Sequence, residues 1–481
     1  MSTPFDLEVC RRLPLADASF RLLDFVTEDE FLAGVFKRHR ARSYEEDISF
    51  ALLVHLIAEA LLGHRGSANQ TFKHAQEQDI LKTTVQAAYA KLGRVPLSLS
   101  LGLFTEAIGR LEQLGTPTTD DPLPKSLAPF RVLGFDGKKI KYVAKKLKPL
   151  RGLNGNVFGG KLLIVADLRT RQAVGANAAL DGEAADNPLV AGAVDRVRAQ
   201  PTDRPRLWVN DRAFCEFKTL SSLGQGTDQF VTRYAASYGF HPDPSRPSRR
   251  GTDELGRPFI EEWGWLGKPK SPNRVFVRKI TVTRADAEPF AVVTSLLDEQ
   301  KYPAVEVLAV YRARWSLETM FQQVVQTFDL RHLIGSTSEA TVFQAMLCLL
   351  LYNITLFIRD TVAAGAQRAP TAVSLQLLFD DLVRDLTGWM EVLQPEETVE
   401  LMRVTRVVEP VALRAYLRQT LGTIWTDRWI KAPTRKQPPK GPPRAYLRGG
   451  HCSVDKIRRG AHHEIPIKNK KNDTDKKAKD P

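Results

Sequence analysis

Two apolar runs in this sequence end in an aspartate, VLGFD at Asp136 and LWVND at Asp211, and a third stretch, YRARWSLETMF over 311–321, carries Glu318 beside a base. At 3.6 residues per turn, Tyr311, Arg314, Glu318 and Val325 stand 3, 4 and 7 apart, a spacing that predicts one stripe of one helix. Each feature alone has an ordinary reading. A strand-terminal Asp is a turn former or helix cap, and Arg314 with Glu318 at i,i+4 is a surface pair worth a few tenths of a kcal/mol. Together they have a chemical one. Converging carboxylates repel by roughly 4 kcal/mol per pair about 4 Å apart at an effective dielectric near 20, so three stay ionised only around a cation. Oxygen donors without Cys or His select Mg²⁺, with Mn²⁺ as a substitute. Two such ions roughly 4 Å apart clamp a phosphodiester, one at the attacking and one at the leaving oxygen. Tyr311 and Arg314 would then hold a phosphate beside metals bound by Asp136, Asp211 and Glu318, a task suited to the planar fork of Arg.

Two acids meet if their strands end together, because open α/β sheets bind ligands at the carboxyl edge. The sequence supplies such strands: FRVLGFD, KKIKYV, KLLIVADL and QAVGANAAL, then a helix from NPLVAGAVDRVRA with Asn187 as its cap and Pro188 first, the strand RLWVND, the helix FCEFKTLSSLG and the strand QFVTRY. That order makes an α/β sheet of mixed strand directions. The core is expected over 128–234 and 301–360, interrupted by an all-β insertion at 235–300. Helical periodicity and terminal glycines mark residues 1–120, which read as a DNA-binding helical domain or simply a helical one. A second helical region, 361–430, is the candidate for dimerisation.

The formal net charge of +14 points to a polyanionic partner, most often nucleic acid. Residues 431–481 hold 15 Lys and Arg against 5 Asp and Glu, and so carry +10 of that total. They read as a disordered basic tail, either solubilising or touching DNA non-specifically. Four widely spaced cysteines suggest neither a disulfide framework nor a zinc site and fit a reducing, cytoplasmic setting. The stretch 341–358, TVFQAMLCLLLYNITLFI, is nearly apolar enough to span a bilayer, but Gln344 and Asn353 favour a helix buried against the sheet and no membrane.

The runs LGFDGKKIK, LWVNDRAF, QFVTRY, VVTSLL and YRARWSLETMFQQVVQTFDLRHLIGS, in that order, resemble a DDE transposase of the insertion-sequence-4 type. Its signature of Tyr, two residues, Arg, three residues, Glu, six residues and Lys reads here as Tyr311, Arg314, Glu318 and Val325, with the lysine absent. The resemblance implies an RNase H-like fold and cut-and-paste transposition of double-stranded DNA on two Mg²⁺ ions. The steps it implies are strand cleavage, hairpin formation and strand transfer at terminal inverted repeats, by a homodimer in a synaptic complex. It also implies a flipped base stacked on an aromatic of the insertion, Phe290 or Trp265, and a DNA contact at Arg233. Trp263 is a further aromatic candidate, β-domain core is the alternative for each ring, and a surface arginine is the alternative for Arg233. A non-catalytic DNA-binding relative and a nuclease of similar fold without strand transfer stay open.

Overall fold

The computed structural model describes residues 4–62, 67–115, 122–140, 157–268, 270, 273–284, 287–327, 334–432 and 452–460. Seven helices open the chain: α1 (Pro4–Arg12), α2 (Pro14–Thr27), α3 (Asp29–His39), α4 (Phe50–Leu62), α5 (Ala68–Glu77), α6 (Val85–Leu92) and α7 (Leu97–Gln113). Then come β1 (Arg131–Ile140), β2 (Val157–Phe158), β3 (Gly160–Asp167), β4 (Ala173–Ala179), α8 (Asn187–Arg198), β5 (Arg206–Asn210), α9 (Phe217–Leu223) and β6 (Gln229–Arg233). The strands β7 (Phe240–Pro242), β8 (Arg249–Thr252), β9 (Pro258–Leu266), β10 (Val275–Arg284) and β11 (Ala287–Thr294) follow. Helices α10 (Ala304–Ala313), α11 (Ser316–Thr327), α12 (Ser338–Gly365), α13 (Leu375–Val392), α14 (Pro395–Val404) and α15 (Pro410–Leu421) close the main body.

All of these strands but β2 form one mixed sheet in the order β4-β3-β1-β5-β6-β11-β10-β9-β7, with β8 on β9. Strands β1, β5 and β6 run parallel, and β3, β4 and β11 pair antiparallel. Residues 240–294 are all strand apart from their turns, yet they are no separate module, since β11 pairs directly with β6 and carries the core sheet onward. Alternation sorts the side chains. Leu133, Phe135, Trp208 and Phe230 face α8 and α9. Val132, Leu207, Val209 and Val231 face the other way, into a core shared with α10, α11, α12 and the N-terminal helices.

Helix α12 is the one helix among the described residues long and apolar enough to cross a membrane, and its apolar window is wholly buried inside the protein. Its polar residues have tasks there. Asn353 donates to the Ala173 carbonyl (2.7 Å) and accepts from the Ala173 amide (2.9 Å) at the edge strand β4, and Gln344 accepts from the Ile334 amide at 2.8 Å. The N- and C-terminal helices interlock: α13 and α15 pack on α2, Arg21 donates to the Thr405 carbonyl (2.7 Å), and the Tyr416 hydroxyl donates to Asp17 (2.8 Å).

Three expectations change. FRVLGFD and KKIK are one strand, so Asp136 lies inside β1 rather than at its end. Helix α8 begins at Asn187, one residue earlier than expected, and Asp186 precedes it without capping it through its side chain. Within the expected disordered tail, residues 452–460 are folded: β12 (Cys452–Ser453) pairs with β2, and α16 (Val454–Arg458) follows. Val454 and Ile457, both buried, anchor that helix, an apolar pair hidden in a basic composition. The remainder of that tail from residue 433 lies outside the described residues.

Candidate active site

Gly134 on β1 pairs with Val209 on β5, and two residues further along, Asp136 and Asp211 are near enough that the charge of Asp211 acts on Asp136. Both then take the side of the sheet that faces α10 and α11. Strand β5 stops at Asn210 while β1 runs on, so Asp136 stands where the sheet loses its neighbour and a ligand can approach. Asp136 accepts from the Gly137 amide at 2.9 Å. Burial raises its carboxyl above the usual range. The Gly137 amide and Arg314 oppose that rise, while Asp186 and Asp211 add to it.

The predicted single helix over 311–325 is broken. Helix α10 ends at Ala313, the Arg314 and Trp315 amides bond three residues back to Tyr311 and Arg312 (3.2 and 3.1 Å), and α11 starts at Ser316. The tight turn lets Leu317, Met320 and Val324 stay buried. It also expels Trp315, which is 64% exposed. Leu317 fixes α11 over the acids: a Cβ on Gly134 would lie 2.9 Å from its Cδ1, so glycine is what admits this helix. Across the break, Arg314 Nη2 still reaches Glu318 Oε1 at 3.6 Å, the i,i+4 pair of the ordinary reading. The Arg314 side chain is buried, and its Nε has no hydrogen-bond partner among the described residues.

Tyr311 donates to Asp211 Oδ1 at 3.3 Å, longer than a usual hydroxyl bond. Burial, with Asp211 adding to it, lifts the phenol to about 12, so it stays a donor. Phe290 on β11 meets the Tyr311 ring at 5.2 Å between centroids, and the guanidiniums of Arg233 and Arg284 lie 5.6 and 5.2 Å from Phe290. Asp136, Asp211, Tyr311, Arg314, Arg233 and Phe290 are thus drawn to one place. Trp265 is not. It sits on β9, five strands from β1 or about 24 Å across the sheet, against Phe276 (5.1 Å) and Arg274 (4.1 Å). Trp263 is buried with its indole N–H on the Leu297 carbonyl (2.9 Å), which is the core reading.

For a divalent ion the donor chemistry fits: Asp136 and Asp211 are hard oxygen donors side by side. The third donor is engaged elsewhere, since Glu318 faces Arg314. Among the described residues, no three His, Cys, Asp or Glu side chains lie close enough to hold one ion.

Two neighbours escaped sequence reasoning. Asp186 lies over Gly137, where a Cβ would come within 1.7 Å of its Oδ1, and it pairs with Lys161 Nζ at 2.7 Å. Lys138 lies 5.3 Å from the Phe321 ring on α11. Period-two alternation from Asp136 could have found Lys138, whereas nothing local to Asp186 points to β1.

Residues 130–354 match the family described as the Transposase DDE domain, a span that contains every site residue named above. "Putative transposase y4zB" of Sinorhizobium fredii is 25% identical over 180 residues, 37% of this chain, and the match spans about half (47%) of that protein's length. Both matches are likenesses to transposases, the first to those of the DDE type. The piggyBac transposase, solved in a synaptic complex with hairpin DNA, aligns over 85% of both chains at 12% identity and a TM-score of 0.42.

Proposed function

We propose that this chain is a DNA transposase of the insertion-sequence-4 type with an RNase H-like core, cutting and rejoining DNA with Asp136, Asp211 and Glu318 as its carboxylates. The reading is supported by the parallel pairing of β1 and β5 up to Gly134 and Val209, two residues before Asp136 and Asp211, whose charges act on each other, with Tyr311 donating to Asp211 and Arg314 facing Glu318. Mg²⁺ or Mn²⁺ bound there would polarise a phosphodiester and lower the pKa of an attacking hydroxyl or water. Asp136 and Asp211 would hold the ion, and Glu318 would join once Arg314 turns to a phosphate. Arg233 and Phe290 stand on the opposite flank, where a backbone phosphate and an unstacked base would be received. The reading extends to double-stranded DNA ends brought together by a homodimer.

The test uses the DNA flanking the gene, with terminal repeats as substrate. In Mg²⁺ the wild type should cut at the repeat ends and join the freed 3′ ends to plasmid. Asp136→Ala should bind the same DNA and cut none of it, a loss of several kcal/mol of transition-state stabilisation. Normal cutting by that variant would refute the site. A second reading, a DNA-binding protein that does not cut, is favoured by the engagement of Glu318 with Arg314 and by Val325 at the signature lysine. It predicts binding without scission in either metal by the wild type.

A further inference from the structure

Lys138 stands two residues beyond Asp136 on β1, and period-two alternation puts both on the side that α11 covers. Its ammonium lies 5.3 Å from the centroid of Phe321, which sits one turn after Glu318 and one turn before Val325. The side chain is exposed, and no carboxylate pairs with it among the described residues. Two neighbouring cations are committed to carboxylates, Lys161 to Asp186 (2.7 Å) and Arg314 to Glu318 (3.6 Å), while Lys139, half-buried over Phe158 at 4.9 Å, takes the other side of the strand. An exposed ammonium kept over an aromatic ring beside acids, yet bonded to none of them, is available to an incoming anion.

We infer that Lys138 is a DNA-backbone contact: its ammonium takes a phosphate of the strand entering at Asp136 and Asp211, from the flank of α11 on which Val325 is apolar. The contact rests on the reading of this site as a DNA-processing centre. A compact point charge on a flexible stem suits a phosphate whose position shifts along a strand, while the rigid fork of Arg314 suits one fixed orientation. With Arg233 and Arg284 beyond Tyr311, Lys138 completes a pair of basic flanks with the acids between them, so the strand is held from both sides of the cut.

The experiment measures binding of the full chain to a random-sequence duplex by fluorescence anisotropy across a KCl series. One phosphate contact contributes about 0.9 to the slope of log affinity against log salt. Lys138→Ala should therefore flatten the slope by roughly one and weaken binding several-fold at low salt. Lys138→Arg should keep the slope. Val325→Lys added to Lys138→Ala should restore it, because position 325 is one turn from Phe321. Lys139→Ala, facing away, should leave it unchanged. A Lys138→Ala slope equal to wild type, or an equal loss in Lys139→Ala, would overturn the inference. A chain that cuts DNA with a slope indifferent to Lys138 sinks this contact alone, whereas one with a Lys138-dependent slope that cuts nothing in Mg²⁺ or Mn²⁺ sinks the catalytic reading alone.

Discussion

Asp17 on α2 and Asp136 on β1 are both carboxylates drawn away from water, and burial pushes both upward in pKa. What surrounds them differs. Asp17 receives Arg21 Nε at 2.9 Å and the Tyr416 hydroxyl at 2.8 Å, and Arg21 itself stacks 4.4 Å from the Tyr416 ring. Among the described residues, Asp136 has only the next amide in the chain as a hydrogen-bond donor, and its carboxylate neighbours Asp186 and Asp211 act against its charge. An acid saturated by donors is a structural fastening, here between the N- and C-terminal helices. An acid left beside other acids carries a repulsion that a bound cation would relieve.

The comparison breaks most visibly if the two aspartates respond alike to loss of what they have. Arg21→Ala strands the Asp17 carboxylate inside the protein and should cost about 3–5 kcal/mol in urea unfolding. Asp136→Asn removes a repelled charge and should leave stability in chelator equal to or above wild type while abolishing strand scission. An equal loss in both variants would mean that Asp136 is a structural acid after all.

A smaller effect sharpens the same contrast within the site. Arg314 is buried, its Nε lacks a partner among the described residues, and its guanidinium faces Glu318, the third carboxylate of the proposed site. Arg314→Gln should free Glu318 and tighten Mn²⁺ binding by the DNA-free protein roughly tenfold, about 1.4 kcal/mol. Glu318→Gln in that background should remove the gain. Electron paramagnetic resonance of Mn²⁺ reads both without any turnover, and an unchanged Mn²⁺ affinity in Arg314→Gln would show that the ion pair does not hold the third donor back.

The strands and helices of the core were legible because their apolar patterns were clear: the short apolar runs of FRVLGFD and KLLIVADL, buried on both faces, and the three- and four-residue spacing of Leu317, Met320 and Val324 match what is observed. The two acids were singled out because each follows an apolar run, and the strands that carry those runs pair in parallel up to Gly134 and Val209. What period alone could not supply was continuity and distance. The break at Arg314 depends on Leu317 packing into the gap above Gly134, a contact 183 residues away in sequence. Phe290 and Trp265 were both candidates because both belong to one insertion, but β10 and β11 separate Trp265 from the core strands. Asp186 reaches β1 because Gly137 has no side chain, which becomes informative only when the partner is known.

The smallest effect concerns an acid between the two extremes. Asp385 on α13 accepts the Leu15 amide at 3.3 Å and lines a cavity of about 280 Å³ with Pro14, Asp381, Arg384, Ile424 and Trp429. Burial, reinforced by Asp381, lifts its carboxyl to about 6. The folded state therefore binds a proton that the unfolded chain, with a carboxyl near about 3.9, has already released. Its contribution to stability is complete below about 4 and is lost as the pH rises toward 6. Asp385→Asn keeps an oxygen for the Leu15 amide and has nothing to titrate. Above pH 6 it should be the more stable protein by roughly 1 kcal/mol, a figure reduced for the partial exposure of the site. Thermal melts at successive pH values between 4 and 7 should show the wild type falling relative to the variant. Parallel curves would mean that the Asp385 carboxyl titrates alike in the folded and the unfolded chain.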